Sequence, residues 1–278
     1  MFQVKKILDE GTREPFIARL LCGILELRDH VQIGRDLERY REEFDSRYHP
    51  VLTALQVARE AVKDVVSLVT DHSAKVNSGA IIEFQRNAVS FRENIDRPLH
   101  EATSRLLVNG VIALKKVQEV TKLFDIDVGG FFQKEARFEK AMKLLGAEGH
   151  FALEGYLRAA RQTWTESFIQ CRGDLEHGGW TVPEIEYEQI TATTFRIREP
   201  KVCDLPVSEF ARISASRLFS FVENVVVYAL NVRLPDPITV LEIPPVRRDP
   251  DFPRRFKVIL LKGRTRGWLP IYSDEDFL

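Results

Sequence analysis

The residues with the clearest potential for chemistry are an arginine and a histidine at the two ends of the stretch Arg172-Gly173-Asp174-Leu175-Glu176-His177. A neutral imidazole can remove the proton of a ribose 2′-OH, and an imidazolium can protonate a departing 5′-oxygen. A guanidinium adds a fixed cation with a fork of N–H donors, which stabilises charge developing on phosphate oxygens. Arg172 and His177 are therefore the residue types that phosphodiester cleavage needs when no metal ion takes part.

A long helical pattern must position this pair. It runs over residues 150–176, where large apolar side chains recur at helical spacing. Gly178 follows His177 and is expected to adopt the left-handed conformation that closes many helices. Residues five apart on a regular helix lie about 140° apart in projection, so Arg172 and His177 share a face only if the helix end unwinds.

The rest of the chain predicts a mainly α fold, an antiparallel helical bundle with a small C-terminal β hairpin or sheet. Helices are expected over residues 16–27, 35–49, from 51 onward, 80–95, 98–124, 131–145 and 205–231, with Pro50 ending or kinking the second. Residues 180–204 favour extended chain, and strands are expected at 238–243, 256–261 and 268–272. The resulting domain prediction is an N-terminal helical region at 1–96, a bundle at 97–234 and a basic β-containing tail at 235–278.

Composition narrows the functional classes. The formal net charge is −1, so binding to nucleic acid or to an anionic membrane needs a local patch. Three cysteines at unrelated spacings fit reduced thiols in a cytoplasmic protein better than a disulfide framework. No signal-peptide pattern or membrane-spanning apolar run is present, nor a glycine-rich phosphate loop, dinucleotide fingerprint, HExxH pair or serine nucleophile elbow. No cofactor, metal or membrane partner is therefore expected.

The stretch Phe168-Ile169-Gln170-Cys171-Arg172-Gly173-Asp174-Leu175-Glu176-His177-Gly178 resembles the HEPN superfamily, whose signature is an arginine, four to six residues and a histidine near a helix C-terminus. The predicted helices from Pro98 to Asn231 also resemble its bundle, so the likeness covers the middle half of the chain. Active members usually carry a polar residue directly after the arginine, where this chain has Gly173. Asp174, one position later, is the candidate for the same orienting role.

The resemblance implies a metal-independent endoribonuclease, acting in defence or stress response, with RNA as its substrate. His177 would be the acid and base, Arg172 the phosphate stabiliser, and Asp174 the third catalytic residue. It also implies a homodimer that brings two copies of the motif into one cleft, and a protein inhibitor is a further candidate partner. The alternative is a non-catalytic helical dimerisation or binding module, in which Arg172, Asp174 and Glu176 form surface pairs and His177 lies at the helix C-terminus.

A second feature is a dense run of positive charge near the C-terminus. The predicted RNA-binding residues are Arg247, Arg248, Arg254, Arg255 and Lys257, with Lys262, Arg264 and Arg266 continuing the run. The alternative is a hairpin edge whose charges and prolines prevent strand-to-strand aggregation.

Overall fold

The structure is a computed structural model, and it describes residues 11–31, 36–86 and 88–260. The predicted fold class is confirmed, because the chain is mainly α with a hairpin near the C-terminus. The helices are α1 (Ile24–Asp29), α2 (Leu37–Asn77), α3 (Asp96–Thr121), α4 (Glu135–Ala147), α5 (Phe151–Ala160), α6 (Glu166–His177) and α7 (Val207–Val232). A π-helical turn at Ile17–Gly23 leads into α1, and another at Arg161–Thr165 connects α5 to α6.

The strands of the described residues form antiparallel pairs. They are β1 (Ile82–Gln85) with β2 (Ala88–Phe91), β3 (Glu186–Gln189) with β4 (Phe195–Arg198), β5 (Lys201–Val202) with β6 (Leu205–Pro206), and β7 (Ile238–Glu242) with β8 (Phe256–Leu260). The extended chain predicted at 180–204 and the two strands predicted at the C-terminus are thus confirmed. The third predicted strand, at 268–272, lies outside the described residues.

The chain forms two compact units, and neither is continuous in sequence. The first contains the described residues within Met1–Leu52, Ala113–Gln162 and Ser216–Leu278, and the second contains those within Thr53–Ile112 and Thr163–Ala215. This division differs from the predicted domains at 1–96, 97–234 and 235–278. The reason is that α2, α3 and α7 are long enough for each to contribute residues to both units.

A buried ionic network lies in the core of the first unit. The side chain of Glu223 on α7 accepts hydrogen bonds from Arg19 Nε at 3.0 Å and from Arg255 Nη1 at 3.4 Å, and all three side chains are buried. Arg255 also donates to Glu242 on β7 at 2.7 Å. Asn231 Oδ1 accepts the backbone N–H of Val240 at 3.0 Å, so polar contacts fix the β7–β8 hairpin to α7.

Strands and helices of the second unit meet around an aromatic cluster. Phe91 stacks on Tyr187 with ring centroids 3.8 Å apart, and both rings pack against a buried group that includes Val76, Ile82 and Phe195. The segment that precedes β3 is held by α3, since Asp96 Oδ1 accepts the backbone N–H of Ile185 at 2.9 Å. This cluster holds the strands that follow α6.

The prediction of a helix at 80–95 is wrong, because β1 and β2 form a hairpin there. Ile82 pairs with Phe91, which places both beside the aromatic cluster. On a helix, residues nine apart lie about 180° apart, so these two side chains would point to opposite faces. The hairpin is the conformation that lets both contribute to one cluster.

Of the two alternatives predicted for Pro50, the end of a helix is wrong, because α2 continues through this residue, and the kink stays a prediction. Phe44, Tyr48, Val51 and Leu55 follow one face of α2 and are all buried. Burying one such side chain contributes roughly 1.5–3 kcal/mol, whereas an internal proline costs about 3 kcal/mol. The packing of this face therefore outweighs the hydrogen bond that the proline removes.

One helix of the described residues, α7, is long and apolar enough by composition to cross a membrane. However, 89% of its most apolar window is buried inside the protein. Burial of this extent is typical of the core helix of a soluble protein.

Candidate functional site

The predicted site residues lie on α6, which stays helical as far as His177. Gly178 is right-handed with φ −93°, and the left-handed residue is Gly179 with φ +67°. The prediction that Gly178 adopts the left-handed conformation is therefore wrong by one residue. The carbonyl oxygen of Asp174 accepts the N–H of Gly178 at 2.8 Å and that of Trp180 at 3.2 Å, and these two bonds close the helix end.

Glu176 joins the two residues that the helix separates. Its Oε1 lies 2.6 Å from Arg172 Nη2, and its Oε2 lies 3.8 Å from His177 Nε2. The first contact is an i,i+4 ion pair, and the second becomes one when the imidazole is protonated. The helix end does not unwind to bring Arg172 and His177 together. The carboxylate of Glu176 links them instead.

The two side chains differ in access to solvent. The side chain of His177 is 79% exposed, whereas that of Arg172 is 24% exposed. Arg172 Nε is buried and has no hydrogen-bond partner among the described residues. The imidazole can thus approach a large substrate freely, while the guanidinium is held against the helix surface.

Asp174, the predicted third catalytic residue, contacts a residue of its own helix. Its Oδ1 accepts a hydrogen bond from Gln170 Nε2 at 2.7 Å, which is an i,i+4 contact along the exposed side of α6. The contact with His177 is made by Glu176, and the catalytic role of Asp174 stays a prediction. The sequence already contained this signal, because Glu176 is four residues after Arg172 and next to His177.

Gly173 leaves open space beside Arg172. A Cβ atom placed at this position would meet no atom within 4 Å, apart from its chain neighbours and the backbone of α6. A polar side chain would therefore fit without steric conflict. No close approach of another part of the chain requires a glycine at position 173.

The basic residues near the C-terminus are not equivalent. Arg255 was predicted to bind RNA, but its side chain is fully buried against Glu223 and Glu242, so that prediction is wrong. Arg254 forms an ion pair with Glu26, and Arg248 Nε donates to the carbonyl of Ile243 at 3.0 Å. Lys262, Arg264 and Arg266 lie outside the described residues.

Two cations of this group remain available to a ligand. Arg247 and Lys257 are both exposed, and no ion pair of either is found among the described residues. Among the five predicted RNA-binding residues, these two are the exposed ones, since Arg248 and Arg254 are half-buried and Arg255 is buried.

The second unit contains an open cleft that the sequence did not reveal. Its volume is about 940 Å³, and its lining includes Asp64, Asp71, His72, Lys75, His100 and Arg105. Ion pairs match much of the charge, since Arg105 binds Asp64 and Lys75 Nζ lies 2.5 Å from Glu93. The cleft is lined by residues of both α2 and α3. No local pattern in the sequence shows that these two helices lie side by side.

The histidines of the cleft are held by neutral partners. His72 Nε2 lies 2.8 Å from the hydroxyl of Tyr187, and burial lowers the pKa of His72. His100 Nδ1 accepts the backbone N–H of Val182 at 3.2 Å. Both contacts anchor the segment after α6, which gives these imidazoles a structural role. Within the described part of the chain, no group of three His, Cys, Asp or Glu side chains is arranged to hold a metal ion.

No protein-family model matches the chain, and neither a curated protein nor a solved structure matches it.

Proposed function

We propose that the protein is a HEPN-like, metal-independent endoribonuclease that acts in the cytoplasm, in defence or stress response. One observation carries the proposal. Arg172 and His177 contact the two oxygens of the same Glu176 carboxylate at an open helix end, and the imidazole is 79% exposed. A cation, a proton-transfer group and a carboxylate are thereby joined at one accessible place. The three cysteines are free thiols, which fits the reducing conditions of the cytoplasm.

In the proposed reaction, neutral His177 takes the proton of a ribose 2′-OH. The 2′-oxygen attacks the adjacent phosphorus, the bond to the 5′-oxygen breaks, and an imidazolium protonates that oxygen. The products are a 2′,3′-cyclic phosphate and a 5′-OH. Arg172 stabilises the negative charge on the phosphate, since its guanidinium keeps further N–H donors besides the one that binds Glu176.

The proposal includes a homodimer. One protomer supplies one imidazole at the end of α6. The reaction needs a base that activates the attacking 2′-OH and an acid that protonates the leaving 5′-oxygen, and these two groups act best on opposite sides of the phosphate. A two-fold axis close to the end of α6 would bring a second His177 and a second Arg172 to the same phosphate. Light scattering should then give twice the 32.0 kDa mass of the chain.

Arg247 and Lys257 are proposed as a separate contact with the RNA backbone. Both are exposed and unmatched by carboxylates among the described residues. Neutralising both, as Arg247→Gln with Lys257→Gln, should lower the slope of log K against log salt by about 1.4, or about 0.7 for each lost phosphate contact. Arg254→Gln is the control, because that guanidinium is already paired with Glu26. An unchanged slope in the double variant would remove these residues from the interface.

A second candidate function is a non-catalytic binding or dimerisation module. The observation that favours it is the 2.6 Å ion pair between Arg172 and Glu176, which offsets the positive charge that a phosphate would need. In this case the contacts at the end of α6 stabilise the helix, and His177 has no chemical role.

The experiment that separates the two candidates is cleavage of a labelled single-stranded RNA by His177→Ala and Arg172→Ala. Removing a proton-transfer group typically lowers the rate 10²–10⁴-fold, and the loss of a charge stabiliser has a similar effect. His30→Ala is the matched control, because His30 is also an exposed histidine at a helix C-terminus. Arg97→Ala is the second control, since Arg97 forms an exposed i,i+4 pair with Glu101. Equal rates for all four variants and the wild type would exclude the nuclease.

A further inference from the structure

Two cysteines that are distant in sequence lie side by side in the second unit. Cys171 Sγ, on α6, is 2.6 Å from Cys203 Sγ, on the turn between β5 and β6. A covalent disulfide has a sulfur–sulfur distance of about 2.05 Å, so only a small shift of the side chains separates the two thiols from bonding. Both cysteines are free thiols in the structure.

The turn holds Cys203 in a defined position. β5 pairs with β6 through Val202 and Leu205, which leaves Cys203 and Asp204 as a two-residue loop. Both have left-handed backbones, with φ 48° and 65°, as a type I′ turn requires. Aspartate is common in such a turn, whereas a cysteine is rarely found at φ above zero. The positive φ of Cys203 is thus a strained backbone conformation, and it places the thiol beside Cys171.

The two thiols differ in reactivity. Cys203 is exposed, and the hydrogen bond with Cys171 lowers the pKa of Cys203. The same contact, followed by burial, raises the pKa of Cys171. The hydrogen bond has the largest effect on the pKa of Cys203, while partial burial and the charges of Asp204 and Asp174 oppose it. Cys203 is therefore the thiol that ionises first and meets an oxidant first.

We propose that Cys171 and Cys203 form a redox-modification site that hydrogen peroxide converts to an intramolecular disulfide. The Cys203 thiolate attacks one peroxide oxygen, the O–O bond breaks, and the released hydroxide takes a proton to become water. The resulting sulfenic acid is then attacked by the sulfur of Cys171. The new S–S bond forms, the S–O bond breaks, and a second water leaves with the thiol proton. A low-molecular-weight dithiol reverses the reaction by thiol–disulfide exchange.

The disulfide would covalently tie the β5–β6 turn to α6, at the residue directly before Arg172. It closes a loop across a sequence separation of 32 residues. Closing a loop of this size restricts the unfolded chain, so the Tm of the oxidised protein should rise by roughly 5–10 °C. The modification does not depend on the proposed nuclease activity, because its formation is read by mass and not by RNA cleavage.

The test treats the full-length protein with one equivalent of hydrogen peroxide, alkylates the remaining thiols and maps the peptides without reduction. The expected result is a peptide pair linked through Cys171 and Cys203, with Cys22 alkylated as the internal control. In Cys171→Ser, Cys203 should be trapped as a sulfenic acid by dimedone. In Cys203→Asn, Cys171 should stay reduced because its partner thiol is gone. Asparagine is chosen because it is suited to the left-handed turn.

Two results would overturn the proposal. One is alkylation of both Cys171 and Cys203 after peroxide treatment of folded protein. The other is a linked pair that involves Cys22 as often as Cys203, since that would indicate random oxidation. The serine and asparagine variants should both retain the wild-type circular dichroism spectrum, because Cys171 is half-buried and Cys203 is exposed.

Discussion

At the scale of single residues, the carboxylate of Glu176 lies within ion-pair distance of both Arg172 and His177. It links a guanidinium and an imidazole that a regular helix keeps apart. The sequence identified the arginine and histidine from their types and spacing, but it assigned the orienting role to Asp174. The spacing of four between Arg172 and Glu176 favours an ion pair between them. Which of the two acids contacts His177 depends on side-chain directions at the helix end, and these come from the structure.

Arg255 is a second case in which the charge of a residue did not reveal its environment. Within the basic run it looked like its neighbours, yet it is buried in the ionic network with Arg19 and Glu223. The burial of Arg255 depends on its contact with Glu223, which lies 32 positions earlier in the sequence. No local pattern in the sequence contains that information.

The network gives a prediction for stability. Glu223→Ala removes the carboxylate that two buried guanidinium groups share, and breaking a buried ion pair in this way costs about 3–5 kcal/mol. The free energy of unfolding, measured in urea, should fall by that amount. Glu26→Ala is the control, because it breaks the more exposed pair with Arg254 and should cost less than about 1 kcal/mol. Equal losses in the two variants would contradict the account of the network.

At the scale of secondary-structure elements, the sequence predicted helices well and one hairpin poorly. The residues of α3 and α7 include buried side chains that recur at helical spacing, so the existence of these helices could be inferred locally. Residues 80–95 were misassigned because Ile82 and Phe91 become neighbours only through strand pairing. The continuation of α2 through Pro50 likewise depends on how much of that helix is buried on either side of the proline.

Helix α6 gives a prediction of its own. Gly173→Ala should raise stability by roughly 0.5–1 kcal/mol, because glycine is a poor helix former and the added Cβ meets open space. Thermal unfolding followed by circular dichroism checks this. Gly130→Ala is the contrasting variant, since its Cβ would lie 2.0 Å from Ala141 Cβ and should lower the Tm. A lower Tm for Gly173→Ala would show that the end of α6 is packed differently.

At the scale of the whole molecule, each compact unit is assembled from segments that lie far apart in the sequence. Composition and periodicity predicted a mainly α chain but not this division, because the boundaries fall inside long helices. The net charge of −1 also means that any RNA contact depends on local groups such as Arg247 and Lys257.

Each unit contains a histidine whose pKa is lowered by burial, His72 in one and His150 in the other. Each imidazole contacts a tyrosine hydroxyl, at 2.8 Å and 2.9 Å. The unfolded chain, with a histidine pKa near 6.5, binds protons more readily than the folded chain. Stability should therefore be full above about pH 6.5 and fall as the pH decreases toward the lowered pKa of the folded state.

The measurement is the urea midpoint at pH 7.5 and at pH 5.5, a window above the range in which carboxylates titrate. The midpoint should be lower at pH 5.5, and the double variant His72→Gln with His150→Gln should lose most of that difference. His30→Gln, which changes an exposed histidine, should retain it. A wild-type urea midpoint that is equal or higher at pH 5.5 would contradict this prediction.

The central claim is that the end of α6 cleaves RNA by 2′-OH attack without a metal ion. Its most direct test is the chemistry of the product ends after incubation of RNA with the protein in EDTA. The account predicts fragments with 2′,3′-cyclic phosphate and 5′-OH ends, which disappear in His177→Ala. Fragments with 5′-phosphate ends, or cyclic-phosphate fragments formed equally by His177→Ala, would contradict it.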